Sequence, residues 1–171
     1  MAVDDLTDES ADPVLTKTQI TANRRKLYGV AVLVIIIDQI TKEIAVRGLR
    51  DGPIDGPLGT SLRLIFNQGA AFSLGEGFGP VFGVLAIIVS IAMFWIVRNF
   101  ERQSVVLGLG LVAGGAIGNV IDRAFREGND GFLGGAVIDF LEIAPWYPVF
   151  NIADVAVVGG GIVVAILGSR E

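Results

Sequence analysis

Four stretches of this chain are apolar over nearly the thickness of a bilayer. They constrain the fold more than any other feature. They run from Leu27 to Val46, Pro80 to Val97, Ser104 to Ile121 and Val149 to Leu167. A spanning helix needs about 20 predominantly apolar residues. The chain has 171 residues, 52% of them hydrophobic, and a mean hydropathy of +0.64, which is too apolar for an ordinary soluble domain. The pattern predicts a small all-α membrane protein with four transmembrane helices. Arg24-Arg25-Lys26 before the first run resembles the start of a signal peptide, but no small-x-small cleavage site follows.

Charge inside such runs is informative because it is costly there. Asp154 is the only charge between Val149 and Leu167. A carboxylate in a bilayer-length segment costs at least a few kcal/mol and marks a functional site by default. The plainer reading puts Asp154 at a helix N-terminus, where the dipole favours a negative charge. Asp38, Asp122 and Asp139 are the candidate partners. Asp38 and Lys42 lie four apart and can pair on one helix face. Asn119 and Asp122 end the third run three residues apart, and Asn151 and Asp154 repeat that spacing at the start of the fourth. An amide beside a carboxylate can hydrogen-bond it or hold its water.

The chain contains no Cys and no His. Disulfides, thiol nucleophiles, Ser-His and Cys-His catalysis and His- or Cys-ligated zinc are therefore excluded. The net charge of −5 resides in Asp4, Asp5, Asp8, Glu9 and Asp12. Residues 1–23 read as a disordered acidic tail, and residues 24–171 as the working domain. No basic patch with interleaved aromatics suggests nucleic acid.

Between the runs, Gly48 to Gly59 reads as a loop and Ser61 to Phe66 as a short strand. Gly110, Gly114 and Gly118 recur at every fourth residue, a spacing that permits close helix packing. Gly159-Gly160-Gly161 reads as a second packing surface. Four spans put both termini on one side. Asp38, the two Asn-x-x-Asp pairs and both long loops then converge at the opposite membrane face. Arg24-Arg25-Lys26 favours termini inside. Two carboxylates close together cannot both ionise, so one keeps a proton near neutral pH. One can then act as base toward a water while the other polarises a carbonyl. A proton-coupled transporter would also keep intramembrane acids, but near the midplane. A non-catalytic scaffold explains the glycines but not the paired amides and acids.

Five motifs follow one another along the chain: Asp38-Gln39-Ile40-Thr41-Lys42; Asn67-Gln68-Gly69-Ala70-Ala71-Phe72-Ser73; the stretch from Gly114 through Gly118-Asn119 to Asp122-Arg123; Val137-Ile138-Asp139-Phe140; and Phe150-Asn151-Ile152-Ala153-Asp154. In this order they resemble the motifs of the lipoprotein signal peptidases, or signal peptidase II. The resemblance implies a bacterial inner-membrane aspartic endopeptidase that needs no cofactor or metal. It implies a small extracytoplasmic β-structure, with a loop or short helix between helices 3 and 4. The implied substrate is a diacylglyceryl-modified prolipoprotein, cut before the lipidated cysteine. The implied inhibitor is a globomycin-type peptide, and the implied state is a monomer with cytoplasmic termini. Carried over by motif, Asp139 and Asp154 are the catalytic pair. Asn67, Asn119, Arg123 and Asn151 line the site, and Asp38 and Asp122 support it. Spacing alone leaves Asp122 as good a partner for Asp154 as Asp139. The acidic tail and the Gly128-Asn129-Asp130-Gly131 insertion depart from the family pattern.

Overall fold

The computed structural model describes residues 15–69, 78–128 and 131–169. Within them lie four helices: α1 (Lys17–Gly48), α2 (Gly79–Ile96), α3 (Gln103–Phe125) and α4 (Ile152–Gly168). Three strands, β1 (Ile54–Asp55), β2 (Ser61–Asn67) and β3 (Val137–Glu142), form one antiparallel sheet in the order β1-β2-β3. The third helix is central and packs against the other three.

α2 is apolar all round, yet its only buried residues are Gly79, Gly83 and Ser90. An all-apolar helix with most of its surface uncovered by protein is suited to lipid rather than water. α2 with the turn after it, and α3, are long and apolar enough to cross a membrane; α4, at 17 residues, is a shorter apolar helix. Outward-facing Leu33, Ile36, Ile40 and Ile44 on α1, and Val155, Val158, Ile162 and Ile166 on α4, extend the apolar exterior.

The first helix begins earlier than the sequence suggests. Residues 17–23 are helical, not part of a disordered tail, and residues 1–14 lie outside the described region. Thr16 caps this helix in a reciprocal box with Gln19. Asn23 is buried, and its amide donates to the Phe100 carbonyl at 2.8 Å. These contacts hold a polar turn that has no hydrophobic periodicity of its own.

Glycine sets the helix spacing. A Cβ on Gly110, Gly114 or Gly118 would lie 2.6–2.8 Å from Val30, Ala31 or Asp38 atoms of α1. One on Gly115 would lie 2.3 Å from the Ala153 carbonyl oxygen of α4. The expectation for Gly159-Gly160-Gly161 needs correction. Gly160 packs against Gly108, but Gly159 and Gly161 have nothing within 4 Å of a Cβ position. Helical periodicity turns the outer two away from the seam.

Of the loop or short helix expected between α3 and α4, the structure shows the loop. Its described residues contain no helix and include β3. After α3 the chain folds back, with the Gly135 amide donating to the Arg123 carbonyl at 2.9 Å. A Cβ on Gly135 would meet the Asp122 carbonyl at 2.6 Å, so the reversal requires glycine. Ile138 and Phe140 of β3 then pack with Ala45 of α1 and Leu49 just after it. Strand alternation sends Val137 and Asp139 to the other face.

Candidate active site

Asp139 is fixed by its place in the sheet. Asn67 pairs in register with Val137, two residues from Asp139 on the same face. Such diagonal neighbours are within side-chain reach. The Asn67 amide donates to Asp139 Oδ2 at 2.9 Å. Its own oxygen accepts the Gly69 amide at 3.0 Å, which settles which end of the side chain faces the acid. On the other side, Phe150 bridges to Leu141 of β3. That pairing brings Asn151 beside Asp139, and Asn151 Nδ2 donates to Asp139 Oδ1 at 2.7 Å.

Asp154 is held by a helix start. Asn151 caps α4 by accepting the Asp154 amide, and Asp154 Oδ2 accepts the Asn151 amide at 3.2 Å. The dipole reading of Asp154 is therefore part of the structure. It is not the whole of it, because Asp154 Oδ1 also accepts from Asn119 Nδ2 at 2.9 Å. One residue, Asn151, thus contacts both acids. Both acids line a cleft of about 380 Å³ with Asn67, Asn119 and Arg123, closed on one side by Tyr147 to Phe150.

Asp139 is only 3% exposed. Burial, reinforced by the neighbouring Asp154 charge, pushes its carboxyl up to about 7, against the lowering effect of the two amides and Lys42. It therefore carries a proton below about pH 7 and loses it above.

Asp38 and Asp122 lie behind the cleft, not on it. Both are fully buried and both bind Lys42, at 2.8 and 2.7 Å. Asp38 Oδ1 accepts the Ala153 amide of α4 at 3.0 Å, so an α1 acid also caps α4. Asp122 accepts from Arg126 at 2.7 Å and from the Ile138 amide at 3.2 Å, tying α3 to β3. Spacing could not separate Asp122 from Asp139; the Lys42 and Arg126 partners do. Asn119 and Asp122 likewise share Lys42 rather than bonding each other.

Arg123 reaches the cleft from α3. Its Nη2 donates to the Gly69 carbonyl at 2.8 Å, while Nη1 is buried with no hydrogen-bond partner among the described residues. Cβ atoms on Gly79 or Gly83 of α2 would approach its side chain at 2.9 or 3.3 Å. The sequence reading missed these two glycines, although their four-residue spacing matches that of Gly110, Gly114 and Gly118. It also missed Gln39 and Arg126, which complete the Asp122 network. Ala70 to Ser73 of the second motif lie outside the described residues.

Below the polar cleft, sharing Tyr147, Phe150, Asp154 and Val158 with it, runs a mainly apolar groove of about 330 Å³ along α4. The whole arrangement is one of amides and acids at the end of a helical bundle, between the sheet and the apolar exterior of the helices. The chain is 43% identical over 145 residues to a lipoprotein signal peptidase of Mycobacterium tuberculosis, covering 84% of this chain and 70% of that protein. It is 37% identical over 167 residues to one from Rhodococcus jostii, covering 96% and 83%. A solved bacterial membrane enzyme, determined by the in meso method, superposes with a TM-score of 0.70 at 28% identity, covering 82% of this chain and 85% of that one. A family model described as signal peptidase (SPase) II matches residues 30–169. With most of its length matched, the chain belongs to the signal peptidase II family of bacterial membrane peptidases.

Proposed function

We propose that this protein is an aspartic endopeptidase that removes the signal peptide from lipoprotein precursors, with Asp139 and Asp154 as its catalytic pair. The single observation that carries the reading is Asn151, which donates to Asp139 and exchanges two bonds with Asp154, holding both acids on one cleft. Family membership supports lipoprotein signal-peptide cleavage. The acids supply the chemistry without a thiol or an imidazole.

Asp139, protonated below about pH 7, acts as the acid. Asp154 accepts hydrogen bonds at both oxygens and acts as the base. Asp154 takes a proton from a water whose oxygen attacks the scissile carbonyl carbon. Asp139 passes its proton to the carbonyl oxygen, giving a neutral tetrahedral diol. On collapse the C–N bond breaks, Asp154 returns its proton to the leaving amine and Asp139 recovers one from the diol. Asn67, Asn119 and Asn151 hold the carboxyl groups in place throughout, and Arg123 lines the cleft beside them.

The substrate in this reading is a diacylglyceryl-modified prolipoprotein, cut before its lipidated cysteine. The apolar groove beside Asp154 offers the surface that a lipid-modified substrate needs. All four helices span the inner membrane as a monomer, with termini in the cytoplasm and the sheet and cleft outside. A globomycin-type peptide would occupy the cleft. The test is incubation of purified protein with a lipidated and a non-lipidated precursor. Cleavage of the first alone, before the modified cysteine, is expected; cleavage elsewhere or of both equally would overturn it.

A further inference from the structure

Among the described residues Lys42 is the largest fully buried side chain, and it does not line the cleft. An ammonium group has three N–H donors. Here they go to Asp38 Oδ2 at 2.8 Å, Asp122 Oδ2 at 2.7 Å and Asn119 Oδ1 at 2.9 Å. Two structural acids thus fix a cation, and its third bond is directed at an amide of the cleft.

That amide has two ends of nearly the same shape, and only its partners decide which way it lies. Asn151 is set first: its oxygen accepts the Asp154 amide at 3.0 Å, so its nitrogen must donate. That nitrogen meets Asn119 Oδ1 at 3.1 Å, as does Lys42. Both lone pairs of the Asn119 oxygen are then filled by pure donors. Its NH₂ group is left facing Asp154 Oδ1 at 2.9 Å. Flipping the amide would set its NH₂ against both an ammonium and another amide N–H. The bond from the ammonium is charge-assisted, so it is the stronger of the two constraints.

We propose that Lys42 is a positioning residue that acts through Asn119, locking its amide so that an N–H always faces Asp154. This rests on the reading of Asp139 and Asp154 as the catalytic pair. Through Lys42, the buried acids Asp38 and Asp122 serve the reaction as well as the fold. Lys42 touches neither substrate nor the reacting carboxyl groups.

The test compares kcat and KM for a lipidated precursor in purified protein, at matched melting temperature. Lys42→Met keeps the stem and removes the donors. If it does not accumulate folded protein, the comparison is made in the Asp122→Asn background, where one buried acid is already neutral. The expected result is a fall in kcat of about tenfold or more, or complete loss, with KM within about twofold. Adding Lys42→Met to Asn119→Ala should lower kcat by less than about twofold more, because the two act as one unit. The same factor in both backgrounds, or unchanged kcat in Lys42→Met, would overturn the proposal. So would a silent Asn119→Ala beside a Lys42→Met of normal turnover. Asp154→Asn, run alongside, separates the two levels. Normal turnover there defeats the catalytic pair itself, whereas its loss with an additive cycle defeats only the role of Lys42.

Discussion

Asp139 shows how one residue can be legible in type and illegible in environment. Its neighbours Asn67 and Asn151 stand 72 and 12 residues away in sequence. Strand register and a bridge from Phe150 bring them together. No spacing rule distinguishes Asp139 from Asp122, because what separates them is Lys42, contributed by α1. The raised carboxyl of Asp139 has a consequence for rate. The proposed acid must be protonated, and Asp139 titrates at about 7. Turnover should therefore hold at lower pH and fall as pH rises through about 7; a pH–rate profile in purified protein checks this, and a rate still climbing through that window would contradict it. Asn67→Ala should leave the fold intact and lower turnover about tenfold or more by removing one hydrogen bond to the acid. Asp38→Ala should act differently. It leaves the Ala153 amide and part of the Lys42 charge unpaired in a fully buried place. Breaking one side of such a buried pair costs about 3–5 kcal/mol, so folded yield should collapse before turnover per folded molecule does. A stable but inactive Asp38→Ala would reverse that assignment.

At the scale of elements, the glycine seams decide the geometry. Gly118 lets α1 bring Asp38 against α3, and Gly115 lets α4 bring Ala153 there too. Together they place the start of α4, and hence Asp154, beside Asn119. Gly115→Ala should lower thermal stability by about 1–3 kcal/mol through overpacking against backbone. Gly159→Ala and Gly161→Ala, with open space at the Cβ position, should be neutral or raise it by up to about 1 kcal/mol. Melting curves of the three variants in one detergent test the contrast. The glycine repeat on α3 was readable from its period. The Gly159-Gly160-Gly161 run was not, because a run of three has no period to say which member faces the seam. Helix boundaries followed the apolar runs to within about four residues, with α3 running on to Phe125 and α4 starting at Ile152, except at the start of α1. There a cap at Thr16 and the tertiary contact of Asn23 extend the helix through polar residues. β3 was hidden for a related reason: four consecutive buried residues show no alternation. A chain shortened to begin near Thr21 loses the cap but keeps Asn23, and should retain peptidase activity.

For the whole molecule, the four helices were visible in the sequence because long apolar runs favour helices, which satisfy their own backbone groups. The site was visible only as a set of residue types near one face. Their pairing required the sheet, the capping box of α4 and the buried Lys42 cluster. The hydrolase should be indifferent to EDTA, and activity lost to the chelator and restored by a divalent ion would contradict a metal-independent mechanism. In the proposed mechanism Asp139 and Asp154 do the chemistry while Asp122 holds the frame. The most direct test is turnover of a lipidated precursor by Asp139→Asn, Asp154→Asn and Asp122→Asn at matched amounts of folded protein. The first two should each abolish cleavage, their combination should be scarcely worse, and the third should be milder. Near-normal cleavage by Asp139→Asn, with none by Asp122→Asn, would make Asp122, not Asp139, the partner of Asp154.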